Sequence, residues 1–540
     1  YHGPFTATQV QPLRRLAGVH LTGDFRRFYP ARALARPIIG GLSPDSPAGT
    51  AGLELSLDSI LTGQPGEAVL LKDRAGRRYD SPARVIREPV PGNDVVLTLD
   101  AELQEIAERG LEDALADMRA EGGDVVFLDP TTGELIALAS RQPGRTGPTS
   151  IRASTFTDPF EPGSTAKLFT AAALLVHQRV SNSDAVFAEG GQWRMPITRS
   201  GRTRLITDVH KTTGNLTLAR TIQVSSNVGM AKFSSRLSPE EQFEMLRDFG
   251  FGTPTGAEFP SESRGRLARP DRWQPMYTRA SLAMGYEFGV TPVQLAAAYG
   301  AIAHDGLLLT PTLVREVRDP SGDLLYRHRP EPVRRVVGTE VAAQLRDFMR
   351  GAMEDGGTGG EAQLANYSLL GKTGTAVRFE GGRYVHGEYT ASFAALFPAD
   401  NPRLVVVVKI DNPKGRYYGG LTAAPVTRTM LQQALASRRV AIDRGRLAPQ
   451  DTSSATQRPA SQSTGISRLV LPWPYRPAPS ARPALPVPDV TGRTTREALL
   501  ALHRRGFRVS LRGLGRVTHT LPVGGRSATP GAAVTVWAEE

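Results

Sequence analysis

Residues 101–139 constrain the fold more than any other stretch of the chain. AELQEIAERGLEDALADMRA places Leu103, Ile106, Ala107, Leu111 and Leu115 at three-to-four-residue spacing, so one apolar stripe runs along a predicted helix. GGDVVFLDPTTGELIALAS follows at once. Its two β-rich runs around a Pro-Thr-Thr-Gly turn predict a hairpin. A helix with a stripe to cover, followed directly by an apolar hairpin, predicts helix packed on antiparallel sheet, an α+β arrangement. PVPGNDVVLTLD, just upstream, predicts one more strand. Helical patterns dominate from about 162 to 305, strand signals return at 365–415 around LVVVVKI, and a helix-like segment closes near 425–438.

Composition divides the rest. Residues 1–90 are rich in Gly, Pro and short β-like runs and read as an irregular β-containing module; 91–440 form the main domain. From 441 to 486 the chain turns to Ser, Thr, Gln, Pro and Ala, which is linker composition. Residues 487–540 are ordered again, with a helix over Thr495–Arg505 and short strands.

Several function classes fall away. With no cysteine, the chain has no thiol nucleophile, disulfide or thiolate metal site, and its nine histidines show no HxxH or HxxxH spacing. No metal and no cofactor are expected. No run of about 18 apolar residues occurs. The chain opens mid-pattern at Tyr1, so an upstream segment is expected. Of the net charge of +12, residues 441–540 supply +8, from 14 Arg and 6 acids. A basic tail suits a membrane surface, wall polymers or nucleic acid; the plain alternative is a solvated, Arg-rich surface. The arginines are scattered and aromatics do not interleave with them, which argues against nucleic acid.

Only seven of the 65 basic residues are lysine. One, Lys167, stands in PGSTAKLF, three residues after Ser164 near a helix start. That spacing puts both side chains on one face. A serine hydroxyl is a weak nucleophile until its proton is removed. A lysine at its ordinary pKa of about 10.4 is neutral in roughly one molecule in 2,500 at pH 7, but burial or a second cation lowers that value. Arginine cannot respond in the same way. The plain alternative is an N-cap serine and a solvated lysine.

Two further clusters matter. GKTGTAVRF sets Lys372, Thr373, Gly374 and Thr375 at the start of a strand, where a glycine admits close approach to the backbone and the others offer a cation, hydroxyls and N–H groups. A phosphate loop would need glycine at 366, and the chain has Asn366. In VSSNVGMAK, Ser225 and Asn227 bracket one residue, so a turn can aim both into one cleft. An ordinary Ser/Asn-rich helix junction is the plain alternative.

Ser-x-x-Lys, Ser-x-Asn and Lys-Thr-Gly in this order mark penicillin-binding proteins and serine β-lactamases. FEPGSTAK, SSNVGMAK, GVTPVQLAAAYGAIAHDG, GKTGTA and YTASFAALFPADNPRLVVVVKIDNP resemble the transpeptidase domain of class B penicillin-binding proteins. RRFYPARALARPIIG resembles their N-terminal pedestal (dimerisation-type) module, and VPDVTGRTTREALLALHRRGFRV through ATPGAAVTVW resembles one PASTA domain. The resemblance implies the serine penicillin-recognising transpeptidase fold: an antiparallel sheet flanked by helices plus an all-helical subdomain, with a β-rich pedestal and a small α/β PASTA domain.

It also implies roles. Ser164 would attack the penultimate D-Ala carbonyl of a stem peptide, with Lys167 as general base. Ser225 would relay protons to the leaving D-Ala, Asn227 would hold the substrate amide and fix Lys167, and Lys372 would help depress Lys167. Thr373 and Thr375, beside Gly374, would bind the terminal carboxylate. The backbone N–H groups of Ser164 and Thr375 would form an oxyanion hole. Implied partners are peptidoglycan stem peptides, β-lactams as covalent inhibitors, a membrane-embedded glycan-strand polymerase and divisome proteins. The implied location is the outer or periplasmic face of the cell membrane, on a single N-terminal anchor absent from this chain, with septal wall synthesis as the process. The competing readings are a β-lactamase-like hydrolase or β-lactam sensor of the same fold, and a non-catalytic wall-binding protein using the basic C-terminal region.

Overall fold

The computed structural model describes residues 7–13, 27–43, 48–440 and 484–539, except 70, 73, 75, 77, 80–84, 145–146, 151, 198–200, 438, 514 and 530–531. The linker expected over 441–486 thus falls almost wholly outside the described residues. Two units are distinguished: 1–98 with 258–260 and 313–328, and the remainder.

The first unit is built from short ladders, as its Gly- and Pro-punctuated sequence predicts. Gly41–Leu42 pairs with Gly49–Ala51, and Glu67–Ala68 with Val85–Arg87. The strand expected in PVPGNDVVLTLD is Asp94–Leu97, and it pairs with Val314–Arg318, more than 200 residues away.

In the second unit α1 (Ala101–Met118) starts at Asp100, whose side chain accepts from the Leu103 N–H. Its stripe of Leu103, Ile106, Ala107 and Leu111 is buried. The expected hairpin is β1 (Gly122–Leu128) and β2 (Leu135–Gly144), antiparallel with Val126 opposite Leu138. With β3 (Gly147–Ser150), β4 (Leu370–Glu380), β5 (Arg383–Phe397) and β6 (Leu404–Asp411) they form one antiparallel sheet ordered β3-β2-β1-β6-β5-β4. β6 is LVVVVKID, buried along its whole length. It lies centrally and covers helices on both faces, so its apolar run is continuous and does not alternate.

The helical part comprises α2 (Lys167–Val176), α3 (Asn227–Ser234), α4 (Pro239–Asp248), α5 (Pro275–Met284), α6 (Pro292–Ala303) and α7 (Thr339–Gly351). Both α4 and α6 begin with Pro after a capping box, Ser238–Glu241 and Thr291–Gln294. One correction concerns 185–217, expected to be helical. It folds as two small ladders, Ala185–Phe187 with Asn215–Thr217 and Gln192–Pro196 with Thr203–Thr207. Met195 and Ile206 are buried between exposed neighbours, a period of two that a helical reading passes over.

α8 (Ala423–Ala436) packs on α1 and the sheet. The C-terminal module has its own core, including Val487, Leu502, Phe507 and Val534. Its helix α9 (Thr495–Arg504) lies on β7 (Arg508–Arg512), β8 (Arg516–Leu521) and β9 (Ala533–Glu539), with β9 in the middle.

Candidate active site

The site is assembled where α2 meets the edge strand β4. Before α2 the chain makes a 3-10 turn, Gly163–Ala166, which carries Ser164. Gly163 sits at φ +54°, and its N–H donates to the Gly285 carbonyl at 3.0 Å. A Cβ on Gly285 would meet that Gly163 oxygen at 1.9 Å, so the turn can seat only against glycine. Thr165 Oγ1 donates to Pro162 O (2.7 Å), and Tyr299, buried in α6, donates to Thr165 O (2.8 Å). The serine is held from both sides by buried hydrogen bonds.

Gly374 shows why the Lys-Thr-Gly strand needs its glycine. A Cβ there would fall 2.3 Å from Ser392 Oγ and 2.9 Å from Pro162 O, so β4 could not lie against the serine turn. Thr373 Oγ1 is 2.6 Å from Thr358 Oγ1, and Thr375 Oγ1 accepts from the Gly419 N–H at 3.0 Å.

Between these elements opens a cleft of about 610 Å³, lined by Ser164, Ser225, Asn227, Thr373 and Thr375, with Asp208 and the rings of Tyr286, Tyr389, Tyr417 and Tyr418. Four hydroxyl-bearing motif residues and Asn227 therefore converge, as their spacing in the sequence suggests. Lys167 and Lys372 are wholly buried. Lys167 Nζ donates to Ser225 O at 2.5 Å and reaches Ser225 Oγ at 3.3 Å; Lys372 Nζ donates to Ser225 Oγ at 2.8 Å and to Thr373 O at 3.1 Å. One hydroxyl thus bridges two amines.

Burial lowers the Lys167 amine to about 7, against an opposing pull from Asp208. Burial also drives Lys372 well below its ordinary value, and the neighbouring Lys167 pushes it further. Two amines on one hydroxyl repel when both are charged, so the pair binds its second proton weakly.

Ser225 occupies the left-handed region at φ +57°, unusual for a residue with a side chain. Asp208 supports that turn. It accepts from the N–H groups of Asn227 (2.6 Å) and Val228 (2.9 Å) and from Ser226 Oγ (2.7 Å). Asn227 Nδ2 donates to Thr207 O at 2.8 Å. The tie between Asn227 and Lys167 that the resemblance implies is not among the described hydrogen bonds.

Sequence reading missed Asp208, for ITDVH carries no motif. It also passed over Glu161, although that residue opens EPGSTAK. Glu161 Oε1 accepts from the Glu287 N–H (2.9 Å) and from Tyr384 Oη (3.2 Å), while Oε2 is buried without a partner. Burial raises its carboxyl to about 7.

A serine at the head of a buried helix, a pair of proton-poor lysines and a hydroxyl-rich strand edge define a serine-type acyl-transfer enzyme. Comparison with known proteins specifies it. The penicillin-binding protein transpeptidase domain matches residues 123–432, the penicillin-binding protein dimerisation domain 6–97, and the PASTA domain 486–540. The probable peptidoglycan D,D-transpeptidase PenA of Neisseria gonorrhoeae is 33% identical over 422 residues, 76% of this chain and 68% of that protein. Peptidoglycan D,D-transpeptidase FtsI of Escherichia coli is 33% identical over 431 residues, 78% and 69% of the two chains. Among solved structures, penicillin-binding protein 3 of Mycobacterium tuberculosis complexed with aztreonam superposes with a TM-score of 0.65 at 31% identity, covering 76% of this chain and 90% of that one. The transpeptidase domain of Burkholderia pseudomallei penicillin-binding protein 3 gives 0.55 at 32% identity, covering 63% and 95%. The chain belongs to the class B penicillin-binding proteins and carries a C-terminal PASTA domain.

Proposed function

We propose that this chain cross-links peptidoglycan by D,D-transpeptidation through an acyl-enzyme on Ser164. The observation that carries the reading is the bridge Lys167–Ser225–Lys372 beneath a cleft that Ser164 lines. Neutral Lys167 takes the Ser164 proton as Oγ bonds to the penultimate D-Ala carbonyl carbon. The backbone N–H groups of Ser164 and Thr375 stabilise the oxyanion. As the C–N bond breaks, Ser225 Oγ passes a proton to the departing amine and is resupplied from the lysine pair, so terminal D-Ala leaves as a neutral amine. An amine of a second stem peptide then attacks the ester, loses its proton along the same path and regenerates Ser164. Thr373 and Thr375 hold the terminal carboxylate, with Gly374 permitting the approach, and Asn227 faces the substrate amide. A β-lactam acylates Ser164 in the same way, but its leaving group stays tethered.

Septal wall synthesis is the process we assign, with a membrane-embedded glycan-strand polymerase and divisome proteins as partners. FtsI is a named relative in support, although stage V sporulation protein D of Bacillus subtilis is similar as well, at 32% identity over 429 residues. A membrane anchor and a catalytic domain on the outer face belong to the same reading, which kinship with FtsI supports; among the described residues no helix is long and apolar enough to cross a membrane.

The experiment is labelling with a fluorescent penicillin. Wild type should take up one equivalent in a burst and Ser164→Ala none. Labelling of Ser164→Ala would remove the nucleophile assignment. Continuous nitrocefin turnover would favour the hydrolase reading.

A further inference from the structure

The C-terminal module meets the catalytic domain on a charged face. α9 packs against the strand Pro332–Arg335. Around that contact, cations of the module face carboxylates of α4. Arg508, which opens β7, lies in the field of Asp248 and Glu244, and His503 of α9 lies in that of Asp248 and Arg334. Asp248 already binds Arg247 at 3.1 Å and approaches Arg334 at 3.6 Å. His177, just past α2, is 3.7 Å from Glu241 and feels Arg508 and Glu244. Burial disfavours the charged form of Arg334, His503 and Arg508 alike. Arg334 and Arg508 each bury an Nε without a hydrogen-bond partner. Partly buried guanidinium groups among carboxylates, each with an Nε shut off from water, mark an interface, not a solvated surface.

This face lies behind the serine turn. Phe249, the residue after Asp248, and Phe251 pack on Phe169 with ring centroids 4.7 and 4.9 Å away. Phe169 is two residues beyond Lys167 in α2, and its ring also meets Tyr299 at 5.7 Å, the residue that bonds Thr165 O.

We propose that the C-terminal end of α4 and the strand Pro332–Arg335 form a docking seat for the chain's own PASTA module, gripped through Arg508 and His503, and that an occupied seat steadies the helix carrying Lys167. The seat stands whatever reaction Ser164 performs; only its effect on acylation rests on the function proposed above.

The absence of cysteine gives a direct test in the full chain. In Glu244→Cys/Arg508→Cys protein, a short bis-maleimide should bridge the two introduced thiols in most molecules. The pair Glu244→Cys/Arg512→Cys, with the second thiol at the exposed far end of β7, should bridge severalfold less. Equal bridging of both pairs, or bridging of neither, overturns the seat. A charge reversal tests the consequence. Arg508→Glu should speed hydrogen exchange severalfold in 244–251 and 332–335, leave the Val534 and Val536 amides of the module core protected, and slow penicillin acylation severalfold. Adding Glu244→Arg should restore both. Wild-type exchange in Arg508→Glu overturns docking, as does loss of protection in the module core itself, because the variant would then act by unfolding. Faster exchange with unchanged acylation overturns the steadying of α2. An unlabelled wild type would instead refute the proposed function and leave the exchange result standing.

Discussion

Replacing Lys167 by arginine keeps a cation on a flexible stem and removes the ability to lose a proton. Lys167 is wholly buried, and burial lowers its amine to about 7. At pH 7 about half of the molecules then hold it neutral, against roughly one in 2,500 for an ordinary lysine. A guanidinium stays charged to above about pH 12, so its neutral fraction is below about one in 100,000. If the neutral amine takes the Ser164 proton, Lys167→Arg should lose on the order of 10³ or more in acylation rate, about 4 kcal/mol of barrier. The assay is the second-order rate of fluorescent-penicillin labelling between pH 5.5 and 9. The wild-type rate should rise through about pH 7 and level off. Lys167→Met separates loss of the base from any misfit of the larger guanidinium, and it should be equally silent. It should also be the more heat-stable protein. Below about pH 7 wild type must bury the ammonium, and that penalty shrinks as pH rises from about 7 toward 10.5, where the unfolded chain also releases the proton. The Met variant's gain is therefore largest below pH 7. An arginine variant within tenfold of wild type, or a flat wild-type profile from pH 6 to 9, would refute the neutral-base argument.

Glu161→Gln keeps an acceptor for Glu287 N–H and Tyr384 Oη while removing a charge that burial disfavours. The wild-type penalty grows as pH rises from about 4.5 to about 7 and is constant above, so the variant should melt higher at pH 8 and match wild type near pH 4.5; equal melting at both would show that the carboxyl is solvated. Asp208→Asn loses the acceptor of Ser226 Oγ and the carboxylate that opposes deprotonation of Lys167. Acylation should fall about tenfold from the loosened turn while its acidic limb moves to lower pH, and a limb that stays or rises would contradict the assigned field. Lys409 bridges Asp124 (2.9 Å) and Asp411 (2.6 Å) across β1 and β6. Lys409→Met should destabilise the catalytic domain by about 3–5 kcal/mol, because two buried carboxylates then lose their partner. A melting point unchanged within error would mean that water reaches the triad.

What was legible in the sequence was what burial writes as a period. The stripe of α1, the β1–β2 hairpin and the continuous apolar run of β6 are local patterns, and each maps to its element. The motifs of the candidate site were legible because Ser164, Ser225 and Lys372 stand in an order along the chain that does not depend on packing. What the sequence hid is non-local. Nothing near Gly374 announces that Pro162 O lies where its Cβ would be, since those positions meet only when β4 closes the sheet edge. Asp208 acts on Ser226–Val228 from just past a ladder whose period of two lies inside a region dominated by helical spacing. The left-handed Ser225 is equally silent, because the strain is set by Asp208 and the following helix and not by the residue's own preference.

The three buried lysines show that burial alone does not make a base. Lys409 is as enclosed as Lys167 and Lys372, yet Asp124 and Asp411 hold it well above its ordinary value. Among the described residues the hydrogen bonds of Lys167 and Lys372 go to backbone carbonyls and the Ser225 hydroxyl, and both amines are lowered. The nearby carboxylate, Asp208, has its oxygens engaged by Asn227 N–H, Val228 N–H and Ser226 Oγ, so it tempers Lys167 without pairing with it. The deciding variable is therefore contact with a carboxylate, and Ser225 is where to change it. Aspartate tolerates the left-handed backbone of that position better than most residues. Ser225→Asp should hold both amines protonated, raise the melting point, and suppress acylation below the level of Ser225→Ala, which removes the proposed relay and leaves the amines free to lose protons. Acylation by Ser225→Asp equal to or faster than by Ser225→Ala would show that the protonation state of this lysine pair does not limit the reaction.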